Sequence, residues 1–115
     1  MKEKRTDAER RAAPRVPVGV YLHQVVDGES HRCFASDVSS TGLYMEQPMR
    51  PFARQSNQIQ LEIPLDEGDP VWIGAEVVYD CFDALFHGTA VRFTAMTQRD
   101  RSRLEGWIER TGLAA

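Results

Sequence analysis

Two short stretches carry the residue types that could do chemistry. One is Arg10-Arg11-Ala12-Ala13-Pro14-Arg15; the other is Asp37-Val38-Ser39-Ser40-Thr41-Gly42. Pro14 biases Ala13 toward an extended conformation, so Arg11 and Arg15 do not share one helical face. An extended segment spaces the two guanidinium groups along the chain. Each can fork onto a phosphate or a purine edge, or stack on a base. Guanine suits arginine in particular, because its O6 and N7 are adjacent acceptors. In the second stretch Asp37 and Ser39 stand two apart, which puts both side chains on one side of an extended backbone. Ser-Thr-Gly then favours a turn, and Gly42 permits a positive φ or the close approach of another molecule. A carboxylate at Asp37 can accept from N1 and N2 of guanine while Arg11 or Arg15 serves the Hoogsteen edge and the phosphates. Ser39 adds a small hydroxyl. A guanine nucleotide with phosphates therefore uses every residue type in the two stretches. Singly, each also reads as ordinary material: arginines in a solvated tail, and a polar turn between two strands.

The elements that must hold these groups are mostly strands. Val16, Val18, Val20 and Leu22 alternate against Tyr21 and His23, which is strand periodicity, with Pro17 and Gly19 marking an edge or a barrel bend. Asp27-Gly28 signals a hairpin. A second strand runs from about His31 to Asp37, and a third from Gly42 to Glu46. Residues 47–58 read as a loop, followed by a fourth strand at Ile59–Ile63 and a turn at Asp66–Pro70. The fifth strand is Val71–Tyr79, with Val71, Ile73, Ala75, Val77 and Tyr79 in one phase. The sixth is Leu85–Phe93, with Gly88 and Arg92 on its other face. Thr97 is a good N-cap for a helix from Gln98 to Thr111, whose Leu104, Trp107 and Ile108 form one stripe and whose stop is Gly112. Six short strands and one amphipathic helix point to a small barrel or sandwich, with the helix laid across one open side.

The chain has 115 residues, 42% hydrophobic and 27% charged, the proportions of one soluble globular domain. The net charge of −3 is unevenly spread: residues 1–15 hold six basic and three acidic groups, the remainder eight basic and fourteen acidic. A net acidic body argues against binding to long nucleic acid and leaves a small anion as the better fit for the arginines. No apolar run reaches the length of a membrane span, and the N-terminus lacks an apolar signal-peptide core, so the expectation is a cytoplasmic protein with no membrane association. Cys33 and Cys81 read as buried free thiols. His23, His31 and His87, read as exposed or satisfied strand residues, show no ligand spacing with the cysteines, so no metal site is expected. Trp72 and Trp107 read as core or helix-packing residues, and Asp66, Glu67, Asp69, Asp80 and Asp83 as solvated turns. No nucleophile–base arrangement and no Walker-type loop is present, so the reading is not an enzyme.

Arg-x-x-x-Arg, about twenty residues, and then Asp-x-Ser-x-x-Gly resembles the PilZ domain family of cyclic di-GMP receptors. The similarity runs from about residue 9 to 111 and includes Gly88-Thr-Ala-Val-Arg-Phe93, similar to the family's closing Gly-x-x-Val-x-Phe. The resemblance implies an all-β fold with one helix: a six-stranded antiparallel β-barrel, a C-terminal α-helix and a flexible N-terminal arm. Residues 1–9 would be a flexible tail and 10–112 the domain. It implies that Arg11 and Arg15 clasp cyclic di-GMP against a face bearing Asp37, Ser39 and Gly42. Arg10, just before the first motif arginine, goes in the family with a stacked pair of cyclic di-GMP molecules. Tyr79 matches an aromatic position that packs on a base in some members, and as a strand residue it reads equally as core. The ligand apart, no cofactor is implied. A downstream protein partner is implied but not named, and the output stays open among motility, exopolysaccharide, transcription and secretion. The alternative is a PilZ-like interaction adaptor that does not require the nucleotide.

Overall fold

The computed structural model describes residues 16–49 and 53–114. Six antiparallel strands, β1 (Val16–Val26), β2 (Glu29–Val38), β3 (Gly42–Pro48), β4 (Gln58–Ile63), β5 (Val71–Phe82) and β6 (Phe86–Ala95), close into a barrel in the order β1-β2-β3-β6-β5-β4. One helix, α1 (Gln98–Ala114), follows. The expected barrel and helix are therefore present. Because the barrel is closed, α1 covers it rather than filling a gap between strands. It packs on β1 and β5, which β4 separates, and its Leu104 and Trp107 join the buried cluster of the strands.

Local chemistry explains each joint. Asp27 and Gly28 both adopt positive φ, 50° and 84°, as a two-residue hairpin turn requires. Thr97 caps α1, its Oγ1 accepting from Asp100 N at 3.0 Å. Asp100 also accepts from Trp72 N at 3.1 Å, and Trp107 Nε1 donates to Asp66 Oδ1 at 3.3 Å. These two bonds tie the helix to the segment around the start of β5. Gly112 does not stop the helix, which continues to Ala114. Trp72 is exposed rather than core, because it falls on the outward phase of β5.

The core is built by alternation: Leu22 and Val26 from β1, Leu43 and Met45 from β3, Leu61 and Ile63 from β4, and Val71, Ile73 and Ala75 from β5 all point inward. The register shifts at four places among the described strands, and two of these shifts turn site residues outward. In β2, Cys33 and Ala35 point inward, which would carry Asp37 inward as well. The register shifts between Ala35 and Asp37, an extra residue on β2 against β3, so Val38 takes the core position at 1% exposure and Asp37 turns outward. In β5 the register shifts between Val77 and Tyr79. Val77 stays in the core, and Tyr79 is 55% exposed. The same shift overturns two other expectations. Cys81 is exposed and not a buried thiol, and Asp80 is no solvated turn residue but a strand residue turned toward β6. Cys33 is buried as expected.

Asp80 anchors a polar cluster at one end of the barrel. His87, 1% exposed, places Nε2 at 2.7 Å from Asp80 Oδ1, and Thr89 Oγ1 donates to the same oxygen at 3.1 Å. Gln47 Nε2 lies 3.3 Å from His87 Nδ1. An amide nitrogen only donates, so Nδ1 accepts and the ring proton on Nε2 is the one shared with Asp80. Arg54 Nη2 donates to Asp80 Oδ2, and Phe82 stacks on the imidazole at 4.4 Å. Burial alone would raise the Asp80 carboxyl. The hydrogen bonds from Arg54 and His87, the Arg54 charge and the Thr89 hydroxyl outweigh it and hold the group below the ordinary aspartate value. Asp83 is lowered too, by the backbone N–H groups of Phe86 and Leu85. A depressed folded value means that Asp80 takes up its proton more readily when unfolded. Its stabilisation is complete above the unfolded value of about 3.9 and is lost as pH falls through the lower folded value. Thermal unfolding followed from pH 6 to pH 2 is expected to show a fall in midpoint below about pH 4, and Asp80→Asn is expected to flatten that fall.

Candidate functional site

The Asp37–Gly42 segment is a turn closed on itself. Ser39 N donates to Gly42 O at 2.8 Å. The Ser39 hydroxyl accepts from Thr41 N and Gly42 N and donates toward the Gly42 carbonyl, each at 3.2 Å. Ser39 is 2% exposed. The expectation that Asp37 and Ser39 present their side chains together is not met. The strand ends at Val38, so two-residue alternation no longer governs Ser39, whose hydroxyl is folded in to build the turn. Asp37 stays half-buried on the outward face, opposite Pro17 on β1 and Tyr44 on β3.

Gly42 has a local reason to be glycine. A Cβ there would lie 2.3 Å from the carbonyl oxygen of Val91, so the close approach is that of the chain's own β6 backbone. Its φ is not positive, and Phe93 N donates to Thr41 O at 2.7 Å, which pins the same edge. A backbone obstacle cannot rotate away. Gly42→Ala is expected to destabilise the barrel by about 1–3 kcal/mol, read as a lowered unfolding midpoint. An unchanged midpoint would mean that β3 and β6 separate more easily than the register implies.

A transverse row of paired residues connects Asp37 to Tyr79. Asp37 pairs with Tyr44, Tyr44 with Ala90 on β6, and Ala90 with Tyr79 on β5. Neighbouring strands are about 4.8 Å apart, so the row spans about 14 Å of outer surface. Tyr44 was not among the residues expected from sequence. Its hydroxyl lies where a Cβ on Gly88 would sit, 1.8 Å away, so the glycine of Gly-x-x-Val-x-Phe makes room for this ring. Burial raises the Tyr44 phenol, and Cys81, Glu46, Tyr79 and Asp83 push it the same way, so it stays a neutral hydrogen-bond donor. Arg92 is the second residue that the sequence reading left without a role. Its Cα pairs with Gly42 on one side and Glu76 on the other, and its Nη2 donates to Glu76 Oε1. The outward alternation of β6 was the available signal. Arg10, Arg11 and Arg15 lie outside the described residues.

Further along the same face, Tyr21, Arg32, Phe34, Glu46, Pro48 and Phe86 line a groove of about 530 Å³. Arg32 lies over the Tyr21 ring at 4.1 Å, and Tyr21 meets Phe34 edge-on at 5.2 Å. Among the described residues no group of His, Cys, Asp and Glu could hold a metal ion, and no helix is long and apolar enough to cross a membrane.

A closed six-stranded antiparallel barrel with a terminal helix laid on it, and an outward aspartate beside a self-bonded turn, defines a small β-barrel domain. The PilZ domain family model matches residues 9–110, and the chain belongs to that family. Solved structures agree in fold. The Bacillus subtilis inhibitor of motility MotI/DgrA superposes with a TM-score of 0.75 at 16% identity, covering 91% of this chain and 52% of that one. The PilZ domain of Escherichia coli YcgR, solved with c-di-GMP, gives 0.69 at 15% identity, with 91% and 93% covered. The K. pneumonia MrkH–c-di-GMP complex gives 0.65 at 16% identity, with 84% and 49% covered. The chain thus spans about half the length of MotI/DgrA and of MrkH. The comparison with curated proteins gave no match.

Proposed function

We propose that this chain is a receptor for cyclic di-GMP that binds the dinucleotide against the outward face around Asp37 and passes the signal to a partner protein. The observation that carries the reading is the register shift in β2, which takes Asp37 out of the core phase and sets it half-buried on the outer face, beside a turn held by Ser39. A carboxylate so placed accepts from N1 and N2 of a guanine. Arg11 and Arg15 supply forked donors for phosphates and the O6/N7 edge, and Arg10 supplies the charge that a second, stacked nucleotide needs. Ser39 and Gly42 act by holding the turn, and Tyr79 offers an exposed ring on the same row of paired strands. Binding draws residues 10–15 onto the barrel and so changes the surface a partner reads. Family membership and the c-di-GMP-bound YcgR domain support the reading.

The arginine half has its own test. In a calorimetric titration with cyclic di-GMP, Arg15→Ala is expected to weaken binding at least tenfold, the loss of one or two charge-assisted hydrogen bonds. Undiminished affinity in that variant would remove the arm from the site. A second reading, an adaptor that keeps the barrel and needs no nucleotide, draws on Phe82, Leu85 and Phe86, which are exposed where β5 meets β6. Partner capture that is indifferent both to cyclic di-GMP and to Asp37→Ala would favour it.

A further inference from the structure

Arg92 stands one strand away from the Asp37 turn, on the outward phase of β6, with its Cα in register with Gly42. The other arginines among the described residues are placed differently. Arg32 lies over Tyr21, Arg54 is buried against Asp80, and Arg99, Arg101, Arg103 and Arg110 belong to α1. Between Asp37 and Arg92 stands Gly42, which has no side chain to block an approach. From the Asp37 backbone, Arg92 lies two strands across and two residues along, about 12 Å, and a guanidinium on its long stem covers much of that gap. Arg92 is 61% exposed and bonds Glu76, itself 37% exposed. An ion pair this open to water contributes little to folding. It can be exchanged for another anion at little expense to the barrel.

We propose that Arg92 is a ligand-binding residue held in reserve by Glu76: when the bound dinucleotide arrives, its phosphate replaces the Glu76 carboxylate on the Arg92 guanidinium. The inference rests on the receptor reading above. The body of this protein is acidic, so a dianionic ligand needs cations close to it, and Arg92 supplies one from the rigid barrel rather than from residues 10–15. A phosphodiester offers the guanidinium the same forked geometry as a carboxylate with equal charge, which makes the exchange chemically matched. Glu76 then acts as an internal competitor that lowers affinity until the ligand displaces it.

The two sides of the pair therefore predict opposite effects, which a purely structural pair cannot give. The experiment is a calorimetric titration of the full chain with cyclic di-GMP for wild type, Arg92→Gln, Glu76→Gln and Asp37→Ala, with an unfolding midpoint for each. Arg92→Gln is expected to weaken binding about tenfold, and Glu76→Gln to tighten it severalfold, both with midpoints close to wild type. Tighter binding in Glu76→Gln cannot arise from misfolding. If Arg92→Gln binds as well as wild type while Asp37→Ala does not bind, the exchange is overturned and the receptor reading stands. If both pair variants weaken binding alike, the pair is structural and the exchange is again overturned. If wild type does not bind, or Asp37→Ala binds as tightly as wild type, the receptor reading falls and takes the exchange with it.

Discussion

Replacing Asp37 by alanine is expected to remove measurable cyclic di-GMP binding while leaving the barrel folded. The side chain sits outward and half-buried, and its strand neighbour Val38, not Asp37, fills the core position. The turn beyond it is held by Ser39 and Gly42 through their own hydrogen bonds. Truncation therefore removes no core contact. On the receptor reading it also removes the acceptor for two guanine donors. Hydrogen bonds to a charged group contribute about 1.5–3 kcal/mol each, so a two-bond loss weakens binding on the order of 100-fold or more. The isosteric Asp37→Asn is the sharper variant, because it keeps shape and one acceptor but presents an amide N–H₂ to the guanine donors. Retained affinity in Asp37→Asn would show that the carboxylate is not what reads the base.

Removing Asp80 is expected to have the largest effect on stability. Its carboxylate takes Arg54, His87 and Thr89 at once, and the Arg54 side chain is only 8% exposed. Breaking a buried ion pair from one side costs about 3–5 kcal/mol, because the remaining charge stays desolvated; the partial exposure of Asp80, 24%, puts this case near 3. For a domain of this size that lowers the unfolding midpoint by about 10 °C. Pairing Asp80→Ala with Arg54→Met is expected to recover part of the loss, since the second change removes the charge that has lost the Asp80 carboxylate. If the single variant melts like wild type, the cluster is solvated and not a closure of the barrel end.

These two aspartates show what could be read from the chain and what could not. Strand order of events, the Asp27-Gly28 hairpin, the Thr97 cap and the Leu104–Trp107 stripe all follow from local signals, and each appears where the periodicity or turn chemistry put it. Asp37 and Asp80 owe their orientation to register shifts at Ser36 and Val78, which leave no mark in a hydrophobic pattern. Strict alternation along the fifth strand places Tyr79 in the core phase, and Cys81 reads as a buried thiol; one inserted residue turns both outward and brings Asp80 toward β6. Gly42 and Gly88 were legible as glycines but not for their reasons. The Val91 carbonyl and the Tyr44 hydroxyl that crowd them come from other strands, and only the closed barrel brings them near. Arg92 was placed on the outer phase of its strand, yet its meaning depends on pairing with Gly42 and Glu76 across two strands.

The central claim is that this barrel receives cyclic di-GMP, and one titration addresses it most directly. Wild-type protein at micromolar concentration, titrated with cyclic di-GMP in a calorimeter, is expected to give a saturable exothermic isotherm with about two nucleotides per protomer, the stacked pair that Arg10 implies. A flat trace at that concentration would contradict the account.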